Sequence, residues 1–386
     1  MPPLQPLIVM LGFATLAGAA GYVVLAVIAV LAWRLRRRSR AVLPLPPVTI
    51  LKPLCGAEPG LYSHLRSFCE QDYPQFEIVF GVRESADPAC AIVERLIAEF
   101  PSLPMQLVID PRLHGSNCKV SNLINMLPHA HHEALVMADS DAFVGRGYLA
   151  EVTAPLRDQG VGLVTCLYCG VPTPGIWSRL GAMYINEWYI PSVLLTWLFG
   201  YQGYVSGQTL CIRRSTLQAI GGFQVLADQL AEDYRLGELV RALNLRIVLS
   251  PYLLNGEHHE PDLGSMTRHE LRWMRTIRVL RPRSFFGIFL TFSLPLALLG
   301  ITFASRAPRI SVLAWSLFGL IVVARMTLHF AHRFQDKRSM LSDFWLMPLR
   351  DLLICWVWCR SFFSSRVNWR GNEFDVDADG VMRPVS

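Results

Sequence analysis

Leu7 to Trp33 is an unbroken run without one charged side chain. Crossing the hydrocarbon of a bilayer takes ~20 apolar residues of helix, so this run fixes one element before any other: an N-terminal membrane span. Arg34-Leu35-Arg36-Arg37-Arg38-Ser39-Arg40 follows at once. Five arginines directly after an apolar run place the chain beyond them in the cytoplasm. A secretory signal peptide would carry its charges ahead of a shorter apolar stretch, so that reading is set aside. Two more apolar runs, Phe285 to Ser305 and Ile310 to Phe330, are separated by Arg306-Ala-Pro-Arg309 and read as a helical hairpin. A fourth, Leu341 to Phe363, holds Arg350 and Asp351 in its middle. It is either a span with a paired buried charge or a helix lying at the interface. These runs lift the hydrophobic fraction to 52%, above the ~45–50% usual for soluble domains.

The net charge of +6 sits mostly in arginines beside apolar segments and suits an anionic membrane surface. It does not form the basic face with interleaved aromatics that nucleic acid requires, so a nucleic-acid partner is excluded. The nine cysteines are scattered, and a cytoplasmic setting argues against disulfides. Cys166-Leu-Tyr-Cys169 is a lone CxxC on a β-like run, which reads as two buried strand cysteines and not as a zinc site.

Between the first span and the hairpin the chain has globular character. Pro47 to Leu51, Phe76 to Val82, Met105 to Ile109 and Ala134 to Ala138 read as short buried strands, with helical patterns at Ala89 to Phe100 and Val120 to Met126 between them. Such alternation predicts a parallel sheet with helices on both faces, binding its ligand beyond the carboxyl ends of the strands. Asp87 and Asp139 then share one rim. Val161 to Cys169, Gln208 to Ile212 and Arg246 to Leu249 add strands, and a helix opens near Glu232-Asp233. Gly145-Arg-Gly147-Tyr-Leu-Ala150 matches GxGxxA but follows an acidic strand end and lacks the later acidic residue of a dinucleotide site, so it reads as a turn into a helix. Tyr189 to Phe199 is apolar but too short to span, which makes it an interfacial helix.

The carboxylates carry the chemistry. Asp139-Ser140-Asp141 ends an apolar strand, where two side chains one residue apart point the same way and can hold a divalent cation such as Mg²⁺ or Mn²⁺ on a diphosphate. The plain alternative is an Asp-Ser pair that merely ends a strand. Asp233 either caps its helix or acts as a general base on an acceptor hydroxyl. His269-Glu-Leu-Arg272-Trp273 reads as a basic interfacial segment with a tryptophan anchor, or as a cation and an aromatic beside a departing diphosphate.

Asp87, Asp139-x-Asp141, Asp233 and His269-x-x-Arg272-Trp273 occur in the order and spacing of the D, DxD, D, (Q/R)xxRW signature of lipid-directed family 2 type glycosyltransferases. "LKPLCGAEPGLYSHLRSFCEQDYPQFEIVFGV", "NCKVSNLINMLPHA", "VSGQTLCIRRSTL" and "VNWRG" resemble the ceramide glucosyltransferase family. "CEQDYP", "VTCLYCG" and "HELRWMRTIRVLRP" are most similar to its bacterial branch associated with hopanoid biosynthesis. The resemblance implies a GT-A-like, Rossmann-type α/β nucleotide-sugar-binding domain joined to transmembrane helices. It implies that Asp87 contacts the uridine of a UDP-sugar, that Lys119 lies near the donor, and that Asp139 and Asp141 hold the metal. Asp233 would be the base, and Arg272 with Trp273 would meet the leaving diphosphate and the acceptor. His269 departs from the family's Gln or Arg, and histidine can donate hydrogen bonds there.

The resulting expectation is a span with its basic flank (1–40), a cytoplasmic catalytic domain (41–260), a basic interfacial segment (261–284), C-terminal transmembrane or interfacial helices (285–370) and a tail (371–386). The function expected is an inverting transfer of a hexose or N-acetylhexosamine to a membrane lipid at a bacterial inner membrane. The acceptor expected first is a hopanoid, bacteriohopanetetrol with N-acetylglucosamine, with ceramide and glucose as the alternative. A processive polysaccharide synthase would need more spans, and a non-catalytic scaffold would not need every motif filled. Glycoside hydrolases need no DxD.

Overall fold

A computed structural model describes residues 4–36, 45–201, 203–306, 310–331, 343–364, 366–369, 372–377 and 379–384. The arginines at 37, 38 and 40, the turn residues 307–309, the start of the 341–363 run, the last two residues of "VNWRG" and parts of the tail lie outside them. The chain forms two compact units, one from Arg37–Val171, Tyr201–Glu257 and Trp369–Ser386, the other from Met1–Arg36, Pro172–Gly200 and His258–Asn368.

The first of these units is built on a sheet of β1 (Val48–Pro53), β2 (Phe76–Val82), β3 (Met105–Ile109), β4 (Ala134–Ala138), β5 (Ala142–Phe143), β6 (Val161–Pro172), β7 (Thr209–Arg213) and β8 (Arg246–His258), in the order β3-β2-β1-β4-β7-β6-β8-β5. Ile50 pairs with Ile78 and Val136 in parallel register. Successive residues of a strand face opposite sides, and both sides are covered here. Ile50, Phe80 and Val136 pack in one core with the Leu61–Cys69 and Ala89–Glu99 helices, while Leu51, Val79 and Met137 pack in another with the Cys118–Met126 and Glu232–Ala242 helices. Burial on both faces is why these strands read as continuous apolar runs. The expectation of a parallel sheet holds only for β1 to β4. β7 runs antiparallel to β4, Ala134 facing Arg213 and Ala138 facing Thr209, and β6 runs antiparallel to β7. An apolar run marks a buried strand but carries no direction, so the mixed topology lies in long-range pairing.

β8 also runs nine residues past the expected Leu249, to His258. Pro251 lacks a ladder donor, and the Ser250 hydroxyl accepts the Tyr252 N–H at 3.2 Å, so the chain passes a local irregularity and stays extended. Cys166 and Cys169 are buried on β6, as expected.

In the other unit, Gln5–Leu35 and Ser311–Ala331 are helices long and apolar enough to cross a membrane. The expected single helix over Phe285 to Ser305 is broken: Pro282–Thr291 and Ser293–Ala304 meet at a 66° bend. Pro295 has no N–H to return to the carbonyl of Thr291, so a helix arriving from Pro282 cannot continue through it, while a proline in the first turn of a new helix costs nothing. Small residues let the N-terminal helix approach Ser293–Ala304 closely. A Cβ on Gly12 would lie 2.6 Å from the Ala304 nitrogen and 2.8 Å from the Gly300 oxygen, so the two backbones touch.

Arg350 and Asp351 are both buried and paired. Arg350 grips Glu270 with two bonds, 2.6 and 2.8 Å, and Asp351 meets Arg325 at 2.8 Å, while Arg325 also meets Glu187 at 2.8 Å. The Tyr189 to Phe199 run forms the helix Ile190–Leu198, which continues the π-turn Ile185–Tyr189 and the helix Ile176–Tyr184. Tyr22 and Trp33 of the N-terminal helix touch it at Ser192, 3.0 Å, and at Trp197, edge-on at 5.2 Å.

Candidate active site

β2 and β4 end on the same edge of the sheet because both run parallel to β1, so the loops after Val82 and Ala138 open toward one crevice. Asp87 lies on the first loop. Its carboxylate accepts the Gly56 N–H at 2.9 Å and the Ala89 N–H at 2.9 Å, tying the loop after β1 to the helix that follows. Asp139 and Asp141 lie on the second, and here the sequence geometry needs correction. They do not continue an extended strand: β4 stops at Ala138, and Asp139-Ser140-Asp141 forms a turn into β5. The turn, and not strand alternation, sets the two carboxylates.

Asn117 caps the Cys118–Met126 helix by accepting the Val120 N–H at 3.0 Å, which puts Lys119 in the first turn. Its ammonium lies 2.6 Å from Asp139 and 2.9 Å from Glu232. Asp233 is not a helix cap, since Ala231 holds that position. Its carboxylate accepts the Gly207 N–H at 2.8 Å and the Tyr234 N–H at 2.7 Å. A Cβ on Gly207 would lie 3.4 Å from Asp233 Oδ2 and 3.5 Å from Lys119 Nζ, so the acid and the ammonium converge on one patch of bare backbone. Asp139, Asp141, Lys119 and Asp233 are thus brought to one rim, with Asp87 on a neighbouring loop.

Burial raises the Asp141 carboxyl to about 6, reinforced by the charges of Asp139 and Glu58. Burial also raises Asp233 to about 6, with Glu232 adding to the rise and Lys119 opposing it. Burial works against the Lys119 charge, but Asp139 and Glu232 outweigh it and hold the ammonium well above the lysine range. An oxygen cluster whose carboxyls repel each other is short of positive charge, so the donor set fits a hard divalent cation.

Sequence reading passed over Lys52. It is fully buried at the end of β1, its ammonium donates to the Asp139 carbonyl and lies 3.9 Å from the Phe68 ring centre. Burial pulls it down to about 7 against the pull of Asp139 and Asp141. The signal was present: a lysine directly after Val48-Thr-Ile-Leu51 on a strand buried on both faces has no route to solvent. Glu232, Glu58 and Gln208, whose amide donates to Asp141 at 3.3 Å, were likewise missed.

His269, Arg272 and Trp273 belong to the other unit, on the helix Leu263–Leu280. Asp262 caps that helix by accepting the Ser265 N–H at 2.7 Å. His269 Nδ1 lies 2.9 Å from the Glu260 carboxylate, which accepts its N–H, and its ring lies 4.2 Å from Trp273, which stacks on Tyr184 at 5.4 Å. Arg272 is half-buried one turn along.

A mixed α/β sheet carrying an acidic cluster on the rim of its parallel half is a GT-A-like arrangement. The chain is similar over 92% of its length to a mannosyltransferase from Pyrobaculum calidifontis solved with GDP-Man and Mn²⁺, at 20% identity and a TM-score of 0.54, covering 99% of that chain. The sequence profile of glycosyl transferase family 21 matches residues 13–382, and the chain belongs to that family. Ceramide glucosyltransferases 3 and 1 of Caenorhabditis elegans are each 23% identical to it across 91% of this chain and 77% and 76% of theirs. A ceramide glucosyltransferase of Komagataella phaffii is 33% identical over 120 residues, 29% of this chain and 24% of that protein. The protein is therefore a membrane glycosyltransferase.

Proposed function

We propose that the protein transfers a sugar from a UDP-sugar to a hydroxyl of a membrane lipid with inversion at the anomeric carbon. The observation that carries this reading is Lys119 bridging Asp139 and Glu232 while facing the same backbone as Asp233. It gathers a donor-side acid pair and a separate acid into one cluster. Asp139 and Asp141 would hold a divalent cation, Mg²⁺ or Mn²⁺, whose charge offsets that of the leaving diphosphate. Asp87, on the loop after β2, would face the uridine. Asp233, its carboxyl raised to about 6 and so largely ionised at neutral pH, would take the proton of the acceptor hydroxyl as that oxygen attacks. Lys119 would keep the donor-side acid in place, and Arg272 with Trp273 would meet the diphosphate and the acceptor.

The same reading assigns residues 41–260 to a cytoplasmic catalytic domain, 261–284 to a basic segment against the membrane, and 1–40 and 285–370 to its anchors. The acceptor we propose is a hopanoid polyol in a bacterial inner membrane, with N-acetylglucosamine as the sugar; this rests on the likeness of "CEQDYP" and "HELRWMRTIRVLRP" to the hopanoid-associated branch. The relatives named as ceramide glucosyltransferases favour a second reading with equal weight, glucose onto ceramide. Membranes containing the protein, given UDP-glucose, UDP-N-acetylglucosamine or UDP-galactose with bacteriohopanetetrol, ceramide or diacylglycerol, separate the two. A product in the ceramide arm alone removes the hopanoid reading, and a product in none removes both.

A further inference from the structure

The membrane-associated unit contains a second group of metal-competent side chains that the transfer chemistry does not use. His258, Glu260 and His269 each offer a donor atom, and among the described residues theirs is the group of three whose atoms all lie within 4.8 Å of one another. Glu260 Oε1 is 2.9 Å from His269 Nδ1 and 3.6 Å from His258 Nε2. Tetrahedral ligands on ~2.0–2.1 Å bonds stand ~3.3 Å apart, so two of the three separations already bracket the coordinated value. His258 and Glu260 are nearly inaccessible, at 7% and 6% exposure.

The ligands are also held from behind. Ser178 Oγ accepts the Glu260 N–H at 2.8 Å and donates to the Glu260 carbonyl at 3.2 Å, and the Thr173 N–H bonds the His258 carbonyl at 3.1 Å. Both backbone positions are fixed without using the side chains. Gly181 supplies the clearance: a Cβ there would lie 2.5 Å from His258 Nε2 and Cδ2 and 3.4 Å from Glu260 Cγ. Any other residue at 181 would fill the space beside the donor nitrogen. Arg350, a nearby cation that would oppose a metal, is already matched by its two bonds to Glu270.

We propose that His258, Glu260 and His269 form a transition-metal site of the zinc class, built from residues other than the Asp139 and Asp141 pair. Two imidazoles and one carboxylate are a donor set for zinc and its neighbours, whereas Mg²⁺ and Ca²⁺ take oxygen. The cation ties the end of β8 to the helix Leu263–Leu280 and, through the contact of His269 with Trp273, fixes the indole one turn along. It explains why histidine stands at the first position of the HxxRW motif.

The test uses the full chain in detergent, purified without a polyhistidine tag and dialysed, with no nucleotide sugar present. Elemental analysis is expected to find about one zinc per chain, either as isolated or after incubation with Zn²⁺. Replacement by Co²⁺ should give the visible absorption of a site with nitrogen and oxygen ligands in low coordination. His269→Ala and Glu260→Gln should weaken binding by at least the ~10–100-fold that follows loss of even a supporting contact. Gly181→Ala should weaken it too with every ligand still present, and Asp139→Ala should leave it intact. Less than a tenth of an equivalent of zinc with no Co²⁺ absorption in the wild type would overturn the proposal, with no variant needing to fold. Zinc retained equally by His269→Ala, or lost in Asp139→Ala, would overturn it as well.

Discussion

Asp141 and Asp233 both carry carboxyls raised to about 6, well above the ~3.9 of a free aspartate. The folded state therefore holds protons that the unfolded state has released, and these two groups erode stability as pH climbs from about 4 to about 6, with no further loss above. On the proposed reading activity should run the opposite way, because Asp233 acts ionised as the base. kcat/KM measured against pH should fall on the acid side of about 6 as Asp233 takes up its proton. Asp233→Asn should leave UDP binding near wild type while turnover drops by ~10²-fold or more, the scale of losing a general base. Asp139→Ala should instead abolish metal-dependent UDP binding, read by titration calorimetry with and without Mn²⁺. Equal loss of binding in both variants would contradict the division of roles between the two acids.

Lys119 and Glu270 show how far charged groups shape the elements that carry them. Replacing Glu270 by alanine strands Arg350 between the Leu263–Leu280 and Met347–Ser361 helices and should cost ~3–5 kcal/mol, visible as a lower melting temperature in detergent. The double variant Glu270→Met, Arg350→Leu should recover much of it. β1 to β4 could be read from sequence because strands buried on both faces leave continuous apolar runs, and the Cys118–Met126 helix from its pattern over Val120 to Met126, though the start that Asn117 caps was placed two residues late. The antiparallel run of β7, the passage of β8 through Pro251 and the break before Ser293 were not legible, since each depends on a distant partner or on where one proline falls in a turn. The gathering of Asp139, Asp141 and Asp233 on one rim was legible from motif order, and that of Lys119 only from the likeness of "NCKVSN" to the family. Lys52 was passed over because a lysine is ordinarily taken for a solvated residue, although the apolar run before it already marked β1 as buried and β1 does lie between β2 and β4.

At the scale of the whole molecule, a nucleotide sugar and a lipid can meet only if the catalytic unit faces one side of the bilayer. We propose that this side is the cytoplasm, from the arginine-rich flank after Trp33, and that the helix Ile190–Leu198 with the turns it continues does not cross the bilayer. Cysteines placed at Gly160 and Asn244, before and after that helix, in a background lacking the native cysteines, should both resist an impermeant thiol reagent in intact cells and both react after lysis. Labelling of one alone in intact cells would mean that the chain crosses between them. The most direct measurement is the anomeric configuration of the lipid product, read by proton NMR after the purified protein in liposomes is given a UDP-α-sugar and its acceptor. A β-linked glycolipid is the result that single displacement by an Asp233-activated hydroxyl requires; an α-linked product, or release of free sugar with no lipid modified, would contradict it.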